Sequence, residues 1–557
     1  MSGADGEQRE DAAAAIRDAL AAAEPRDPRP IGGLVDRLAA AGHLRGARRD
    51  GRAIAPAGLA DLSLTGVADD SRRVVPGGLF VAVPGFHVDG HAFLDGAARA
   101  GAAAAVVERA MPDVPLPQLV VDRASAALAS AAAWWYGDPS HALATVGITG
   151  TDGKTTTAFL ATAALEAAGF RTGLVDTVET RVGGLRDRHE VHVTTPGAVE
   201  LQATLAAMRA AGDACAVVET TSHALALDRV VDVAYDAAVF TNLTHEHLEL
   251  HGSFAAYRAA KLRLFERLAI GSANPAKQLG GRPLPKIAVV NRDDASASWF
   301  ESAALAAGAT LVTYGADGAA DVRLTGVEED GRRLSVAYEA PSGPGRIALR
   351  LAGRFNAHNA LAVVALGEGI GLDPAAVRSG LEGLAGVPGR MERIDHGQPF
   401  TVIVDYAHSP ASLAAVLDLL APVAAGRGGG LVAVFGSAGE RDTAKRAVMG
   451  RIAGERCRLV VVTDEDPRGE DRDAINEEIA AGAESAGRRR DRELLVVADR
   501  RAAIVAAFER ARAGDVVLLA GKGHERSILY ADGPVPWDEA EVARAALADL
   551  GYPGAAT

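Results

Sequence analysis

The sequence predicts an α/β protein of three domains, and three observations support this. At 557 residues the chain is too long for a single hydrophobic core. Short apolar runs alternate with helical stretches and Gly/Pro turns, as in parallel sheets covered by helices. The alternation breaks at Asp138-Pro139 and again near "GLAGVPGRMERI", residues 383–394. We therefore expect a mobile tail or a loose helix over residues 1–30, and three domains at residues 31–141, 142–385 and 386–557.

Each domain contains runs that read as buried strands. In the first domain these are "LFVAV", "AAAAVVE" and "QLVVD", followed by the helical "ASAALASAAAWWYG". The second begins with "ATVGITG", a glycine-rich loop and the helical "KTTTAFLATAALEAAG", and continues with "CAVVE", "DAAVFTNL" and "IAVVN". The third repeats the alternation through "FTVIVDYA", "GLVAVFG", "RLVVVTDED", "ELLVVAD" and "DVVLLAG".

Composition narrows the class of protein. Hydrophobic residues make up 48% of the chain, which is typical of a globular protein. We find no run of about 18 uncharged apolar residues and no signal peptide, so we expect no membrane span. A formal net charge of −14 argues against nonspecific nucleic-acid binding. The two cysteines, Cys215 and Cys457, fit a reducing cytoplasm.

The stretch "VGITGTDGKTTTAFL", residues 146–160, resembles a phosphate-binding loop with unusual spacing. A Walker-type G-x-x-x-x-G-K-[ST] loop would need glycine where Ile148 stands. Nevertheless, glycines let backbone N–H groups approach phosphate oxygens, Lys154 supplies a charge, and the Thr155 hydroxyl can reach Mg²⁺. Glu219, which closes "CAVVE", is well placed to join a metal site at the carboxyl ends of the strands. The alternative is a plain glycine-rich turn.

The segment "FTNLTHEHLELHGSFAAYRAAKLRLF", residues 240–265, carries three histidines and an unusual lysine. His245, His247 and His251 suggest zinc, but the spacing is not H-E-x-x-H and no cysteine is near, so zinc is the weaker interpretation. Lys261 interrupts an apolar helical pattern. Its simplest interpretation is a lysine that extends its ammonium group to solvent.

Several motifs occur together in an order that resembles the Mur ligase family. They are "GITGTDGKTTT", "TTPGAVELQ", "VETTSHALALDRV", "FTNLTHEHLELHG" with "YRAAKLRLF", "GRFNAHNALA", "GRMERI", "VDYAHSP" and "AGKGHE". The resemblance covers residues 60–550 and is strongest to the branch that adds a diamino acid to UDP-MurNAc-L-Ala-D-Glu. In this family the loop reads G-x-x-G-K-T-T, and Asp152 stands where asparagine is usual.

The resemblance implies a small N-terminal UDP-binding domain, a central ATP-binding domain and a Rossmann-like C-terminal domain. It implies ATP-dependent amide-bond formation through an acyl phosphate, with Mg²⁺ as cofactor and Lys154, Lys261 and His247 as catalytic residues. Thr155 and Glu219 would hold one Mg²⁺. His247 and a carbamylated Lys261 would hold a second. Glu246 and Glu249 replace the usual aspartates, and His245 replaces a frequent arginine.

The family also implies the residues that bind each substrate. Those for ATP are Gly150, Thr151, Gly153, Lys154, Thr155, Thr156, Asn242, His358, Asn359, Arg390, Asp405, Tyr406 and His408. Those for the UDP-sugar dipeptide are Ser71, Arg72, Thr194, Thr195, Thr221 and Arg229, with Leu227 where a glutamine is frequent. Those for the incoming amino acid are Arg441, Asp466, Arg468, Gly521 and Glu525.

Arg468 bears on which amino acid is added. Family members that add meso-diaminopimelate carry D-N-P-R, whose arginine pairs with the distal carboxylate of the substrate; lysine-adding members generally lack it. Arg468 therefore favours diaminopimelate. Asp466, in place of asparagine, could instead attract the ammonium group of L-lysine or L-ornithine, so these stay open.

Three other functions are weaker. A folylpolyglutamate synthetase has only two domains, and the ligase that adds D-Ala-D-Ala is not expected to carry the D-x-P-R type motif. A catalytically dead homologue is disfavoured because Lys154, Glu219 and Lys261 are all present. We expect a cytoplasmic monomer with small-molecule substrates and no nucleic-acid partner.

Overall fold

The structure is a computed structural model of the chain. It describes residues 2–85, 88–188, 194–244, 251–269, 277–329, 333–552 and 554, with side chains from residue 11 onward. Within these ranges the chain forms three large sheets that are packed with helices, and three two-stranded sheets, and this confirms the predicted α/β fold class. No helix in the same ranges is long and apolar enough to cross a membrane.

The N-terminal domain is a six-stranded mixed sheet with helices packed against it. Its strands, in spatial order, are Arg52–Ile54, Leu44–Arg49, Gln118–Val121, Ala104–Val107, Leu79–Val81 and Val67–Ala68. The pairings from Gln118–Val121 onward are parallel, and the first two are antiparallel. Arg29–Pro30 pairs with Ser63–Leu64 beside it. The helices are Gly32–Ala40, Leu94–Arg99 and Ala124–Tyr136.

The central domain contains an eleven-stranded sheet whose middle is parallel. In spatial order the strands are Leu185–Asp187, Thr180–Val182, Thr172–Val175, Cys215–Glu219, Ala144–Thr149, Ala237–Phe240, Ile287–Asn291, Thr310–Gly315, Val322–Glu329, Leu334–Ala340 and Gly343–Leu349. A small hairpin, Gln278–Leu279 with Arg282–Pro283, lies outside it. The helices are Lys154–Ala167, Ala198–Ala211, Ser222–Ala226, Phe254–Glu266, Ala297–Ala306, Asn356–Ile370 and Pro374–Gly383. They give the sheet a buried apolar core on each face, as a parallel sheet requires.

The C-terminal domain is a second doubly covered sheet with one antiparallel edge strand. Its strands run Glu392–Ile394, Thr401–Asp405, Val516–Ala520, Leu431–Phe435, Leu459–Val462 and Leu494–Val496. The helices are Pro410–Ala425, Ala444–Arg456, Arg472–Ser485, Arg500–Arg510 and Glu539–Asp549, and the hairpin Ser527–Tyr530 with Gly533–Pro536 follows the last parallel strand. All five strands predicted here from sequence are confirmed.

The first 30 residues contain a helix, which is one of the two alternatives expected for them. Residues Ser2–Ala23 form a helix. On its second half Ile16 is buried, and Ala19 and Leu20 pack against the central core beside it. This half of the helix is therefore part of the packed structure, because its apolar side chains cover one face of the central sheet.

Candidate functional site

The glycine-rich loop joins the strand Ala144–Thr149 to the helix Lys154–Ala167, and its backbone is held by the neighbouring strand end. The N–H groups of Thr151 and Asp152 donate to the backbone O and the Oδ1 of Asn242 at 2.8 and 2.9 Å. In return, Thr241 Oγ1 donates to the Asp152 carbonyl at 2.6 Å. Asn242, predicted to bind ATP, thus shapes the loop. The Asp152 side chain is exposed, so its replacement of asparagine leaves this backbone role unchanged.

The two glycines of the loop are required by conformation and by space. Gly150 and Gly153 have φ angles of 152° and 79°. The conformation of Gly153 is left-handed, and a residue with a side chain is strained there. A Cβ atom on Gly150 would collide with Thr241 Oγ1, and one on Gly153 with Asn359 Oδ1. Asn359 therefore lies directly on the loop, which explains why the loop continues into the helix through a glycine.

Replacing Gly153 with alanine should both destabilise the protein and weaken nucleotide binding. Gly169, beyond the other end of the same helix, is a matched control because its φ is 89° but no atom lies within 4 Å of a Cβ there. We expect Gly169→Ala to lower the free energy of unfolding by about 1–2 kcal/mol from backbone strain alone. Gly153→Ala should lower it further and raise the Kd for ADP at least about tenfold, as measured by denaturant unfolding and calorimetry. Equal ADP affinities of the two variants would contradict this.

Lys154, Thr155 and Glu219 meet at the carboxyl end of the sheet. Thr155 Oγ1 donates to Glu219 Oε2 at 2.9 Å, and Lys154 Nζ lies 4.0 Å from Glu219 Oε1 while donating to the Thr151 carbonyl at 2.7 Å. Thr156, on the same first turn, is buried. The structure thus brings together the lysine, hydroxyl and carboxylate that the sequence predicted.

A fourth polar group, Asp176, was missed by the sequence analysis. It directly follows the strand Thr172–Val175 and is fully buried beside Glu219. Burial and the negative charge of Glu219 raise the pKa of Asp176 well above its ordinary value. Burial also opposes ionisation of Glu219, but the positive charge of Lys154 outweighs it, with contributions from Asp176 and Arg390, and the pKa of Glu219 is lowered. Without a bound cation, Glu219 is therefore the ionised member of the pair.

The oxygen atoms around Glu219 fit a hard divalent cation. Within the described part of the chain, no three side chains of His, Cys, Asp or Glu are grouped to hold a metal. Here, however, two carboxylates, Asp176 and Glu219, stand with the hydroxyls of Thr155 and Thr177, and Thr177 Oγ1 donates to Glu219 Oε2 at 3.1 Å. Such an all-oxygen set, completed by phosphate oxygens and water, is what Mg²⁺ prefers.

Lys261 is buried beside the loop, not exposed to solvent. It lies on the helix Phe254–Glu266 with 1% of its surface accessible. Its Nζ donates to the Gly150 carbonyl at 2.6 Å and lies 4.5 Å from the centre of the Tyr257 ring. The solvent-facing interpretation of this lysine is therefore wrong, and its amine sits at the edge of the phosphate loop.

The other residues of the histidine-rich segment are only partly described. His245, Glu246, His247 and Glu249 lie outside the described residues, so the role predicted for His247 stays a prediction. His251 is described, and its ring centre is 5.2 Å from that of Tyr257.

Two predicted nucleotide contacts come from the helix Asn356–Ile370. His358 Nε2 lies 2.8 Å from Asp293 Oδ2. Asn359 is buried against the loop, where its Oδ1 accepts a hydrogen bond from Thr157 Oγ1 at 3.4 Å. Asp293 in turn accepts from the backbone N–H groups of Ala316 and Asp317. This network fixes His358 close to the loop that the phosphates would occupy.

The C-terminal domain supplies a cationic group to the same site. The Arg390 guanidinium stacks 4.6 Å from the centre of the Tyr406 ring, and its charge acts on Asp176, Glu219 and Asp405. Burial raises the pKa of Asp405, and Arg390 offsets part of this rise. Asp405 accepts from the N–H of Met391 at 2.8 Å, which holds the chain next to Arg390. The arginine predicted near the phosphates is therefore close to Glu219.

Tyr406 and His408 lie next to one another in the same loop. Their ring centres are 4.6 Å apart, and His408 Nδ1 is 2.9 Å from the Tyr406 carbonyl oxygen. Burial raises the pKa of Tyr406, so its hydroxyl stays protonated at neutral pH. That hydroxyl donates to Glu525 Oε1 at 3.4 Å, which links the nucleotide residues of this domain to its amino-acid residues.

The residues predicted to bind the dipeptide are also joined to Glu219. Thr195 Oγ1 donates to the backbone carbonyl of Glu219 at 2.7 Å, and Arg229 Nη1 donates to the Thr195 carbonyl at 2.8 Å. Thr194 Oγ1 lies 2.9 Å from Thr177 Oγ1. Thr221 caps a short helix by accepting from the Ala224 N–H, so part of its role is structural. Nucleotide and dipeptide residues therefore share one strand end.

Ser71 and Arg72 lie in a helical turn, Ser71–Arg73, of the N-terminal domain. The Arg72 side chain is 87% exposed, and its guanidinium hydrogen-bonds Asp70, which lowers the pKa of Asp70 to about 2. The neighbouring Asp69 acts electrostatically on Arg229. Arg72 is therefore exposed at the surface and paired with Asp70, and Asp69 beside this turn adds a negative charge near Arg229.

The predicted amino-acid residues form a second cluster around a lysine that the sequence analysis did not single out. Lys522, which is fully buried, donates to Asp466 Oδ1 at 2.7 Å and to Glu525 Oε2 at 2.5 Å. Asp466 Oδ1 also accepts from the Leu529 N–H at 3.0 Å. Asp466, which replaces the usual asparagine, is thus paired with an internal cation that it shares with Glu525.

Arg468 stands at the edge of this cluster with its backbone fixed. Its φ is 56°, and its N–H donates to the Leu529 carbonyl at 2.8 Å. Its Nε is buried and makes no hydrogen bond to any described residue. Gly521 has a φ of 102° and packs close to Glu465, while Arg441 is exposed. Arg468 is therefore held in place with donor capacity remaining.

A cleft of about 230 Å³ opens beside Glu525. Gly389 and Gly523 line it, and so do three arginines, one of which, Arg188, comes from the central domain. Three acids, Glu392, Glu525 and Asp538, line it as well, and two of the arginines pair with Glu392 and Asp538. A polar cleft with charges of both signs suits a small zwitterionic substrate.

Comparisons with known proteins cover most of the chain. Residues 148–367 match the Mur ligase middle domain, residues 389–523 match the Mur ligase, glutamate ligase domain, and residues 63–136 match the Mur ligase family, catalytic domain. A UDP-N-acetylmuramyl-tripeptide synthetase of Roseiflexus sp. (strain RS-1) is 50% identical over 499 residues, which are 88% of this chain and 96% of that protein.

Other relatives carry a more specific name. A UDP-N-acetylmuramoyl-L-alanyl-D-glutamate--2,6-diaminopimelate ligase of Bacillus velezensis is 40% identical over 490 residues, covering 88% of this chain and 95% of that protein. A solved structure of a ligase with the same name superposes with a TM-score of 0.61 at 28% identity. It covers 88% of this chain and 95% of that one.

Proposed function

This chain belongs to the Mur ligase family, and we propose that it uses ATP to join meso-diaminopimelate to UDP-MurNAc-L-Ala-D-Glu in peptidoglycan precursor synthesis. The observation that carries this is the shared strand end at Glu219. Its side chain faces the phosphate loop through Thr155, and its backbone holds Thr195 and, through it, Arg229. Such a site brings a γ-phosphate and a substrate carboxylate together.

In the first step the dipeptide carboxylate attacks the γ-phosphate and releases ADP, which gives an acyl phosphate. Two anions must approach each other, so positive charge at the meeting point lowers the barrier. Lys154 and Arg390 supply it from two domains. The loop N–H groups orient the phosphates, and Arg229 with the threonine hydroxyls orients the dipeptide.

Mg²⁺ fits the oxygen atoms around Glu219 and, when bound there, would neutralise phosphate charge during the transfer. Thr155 and Glu219 would hold it. We also propose that Lys261 reacts as a neutral amine with CO₂ to form a carbamate and release a proton. The resulting anion, beside Gly150, would together with His247 hold a second cation. An unmodified ammonium group could not do this.

In the second step the amine of diaminopimelate attacks the acyl phosphate, and phosphate leaves. The C-terminal cluster supports diaminopimelate over lysine, because Asp466 is paired with Lys522 while the partly exposed Arg468, two residues away, adds a second positive charge. A guanidinium group attracts the distal carboxylate of diaminopimelate and repels the distal ammonium group of lysine. A cytoplasmic location fits the two cysteines, which are both buried and unbridged.

Replacing Arg468 with alanine should weaken selection of diaminopimelate. We expect KM for diaminopimelate to rise about tenfold to a hundredfold, because a charge-assisted carboxylate pair is lost, while KM for ATP is unchanged. Arg492→Ala, an exposed arginine of the same domain, is the matched control. An unchanged preference of Arg468→Ala for diaminopimelate over L-lysine would show that another group reads the distal carboxylate.

The proposed function is tested by phosphate release with Mg-ATP, UDP-MurNAc-L-Ala-D-Glu and one amino acid at a time. Release that is strongest with meso-diaminopimelate is the expected result. Release that is strongest with L-lysine or L-ornithine would support the ligase reaction but show that a different amino acid is the substrate. Release that needs none of the three amino acids would contradict the proposal.

A further inference from the structure

We propose that Asp176 is a second carboxylate of the cation site, which acts together with Glu219; this rests on the proposed function, because the cation is the one that accompanies the nucleotide. The sequence analysis assigned only Thr155 and Glu219 to this cation. The structure adds a side chain that no motif named.

The placement of Asp176 follows from the sheet. The strand Thr172–Val175 lies parallel to Cys215–Glu219, with Val175 opposite Val218. Asp176 and Glu219 therefore leave the carboxyl ends of adjacent strands together, on the edge where the phosphate loop also lies. The Val178 N–H donates to Asp176 Oδ1 at 2.9 Å, which fixes the carboxylate in this position.

The second oxygen of Asp176 indicates a missing ligand. The residue has 0% of its surface exposed, and its Oδ2 accepts no hydrogen bond from the described residues. A buried acceptor without a donor costs about 1–3 kcal/mol, and more when it is charged. Without a cation, the two carboxylates can face each other only through a shared proton, which agrees with the raised pKa of Asp176; with the nucleotide bound, an electropositive atom that replaces this proton would satisfy both. A divalent cation is such an atom.

The surrounding groups favour a cation between the two carboxylates. The hydroxyls of Thr155 and Thr177 both reach Glu219 Oε2, so oxygen ligands surround the same point. Lys154 Nζ lies 4.0 Å from Glu219 Oε1, and the charge of Arg390 acts on both carboxylates, so the oxygen ligands lie where positive charge from the protein and from a cation would meet the phosphates. A site with two carboxylates should hold its cation more tightly than one with Glu219 alone.

The test measures binding of Mn²⁺ to the full-length protein in the presence of ADP, by electron paramagnetic resonance. Asp176→Asn keeps the size of the side chain and its acceptor for the Val178 N–H, but it carries no charge. We expect this variant to bind Mn²⁺ at least about tenfold more weakly than the wild type. Asp213→Asn is the matched control, because Asp213 is also buried but pairs with Arg171 at the opposite edge of the same sheet.

A second variant separates a ligand from a packing residue. Asp176→Cys should shift the preference from Mn²⁺ toward Cd²⁺, since a thiolate favours a softer cation. This inference, but not the proposed function, would be overturned by either of two results. One is equal Mn²⁺ affinity of the wild type and Asp176→Asn; the other is an unchanged Cd²⁺/Mn²⁺ preference of Asp176→Cys. Failure of the wild type to bind Mn²⁺ with ADP would overturn the proposed function with it.

Discussion

Replacing Lys154 with alanine should reduce product formation about a thousandfold, which is the loss expected when a preorganised charge is removed from a transition state. Lys154 lies 4.0 Å from Glu219, and its side chain is only 17% exposed, so solvent cannot replace its charge. The measurement is the rate of phosphate release at saturating Mg-ATP and dipeptide. We expect kcat to fall by a larger factor than KM rises, because the charge on the transferred phosphoryl group grows in the transition state.

The control for this prediction is Lys154→Arg. It keeps the charge but not the compact ammonium group that donates to the Thr151 carbonyl, so we expect partial activity. Both variants should retain the wild-type midpoint of thermal unfolding to within a few degrees, because Lys154 is not part of the apolar core. Activity of Lys154→Ala within about tenfold of the wild type would contradict the assigned role.

The parallel strands and the phosphate loop could be predicted because their signals are local. "CAVVE" and "ATVGIT" are continuous apolar runs, which is the signature of strands buried on both faces. The loop glycines and Lys154 adjoin one of these runs in sequence. The family motifs then placed Thr195, Arg229 and Arg390, which lie far apart in the chain but gather near Glu219.

The edge of the central sheet could not be predicted in the same way. The strand Val322–Glu329 is mostly half-exposed, and its sequence "VRLTGVEE" gives no regular alternation of apolar and polar residues. It pairs antiparallel with Leu334–Ala340, which in turn pairs antiparallel with Gly343–Leu349 at the edge. Their position depends on tertiary pairing, which a single window of sequence does not encode.

The partners of the buried charged side chains could not be predicted from the sequence either. Asp176 follows a strand just as Glu219 does, so the same signal could have found it, but only the sheet order shows that the two are neighbours. Lys522 appeared within "AGKGHE" without a role. Its ammonium group contacts Asp466, which is 56 residues away in the chain, and Glu525, which is 3 residues away. These contacts determine how much negative charge the amino-acid site presents.

Replacing Lys261 with alanine should reduce activity about a hundredfold or more, because the proposed carbamate supplies an anionic ligand that no other described group can replace there. Lys261→Arg distinguishes this from a cationic role. An arginine keeps a positive charge and a donor for the Gly150 carbonyl, which Lys261 contacts at 2.6 Å, but it cannot form a stable carbamate. We therefore expect the arginine variant to be as inactive as the alanine variant.

A direct measurement separates carbamylation from a purely structural role of this buried lysine. Wild-type protein in ¹³C-bicarbonate should show a carbamate resonance that is absent from Lys261→Ala, and its activity should fall when CO₂ is removed at constant pH. Activity of Lys261→Arg near that of the wild type would mean that the ammonium group itself is what the loop needs. In that case the second cation would have to be held without Lys261, and burial of the lysine beside Gly150 would serve the shape of the phosphate loop.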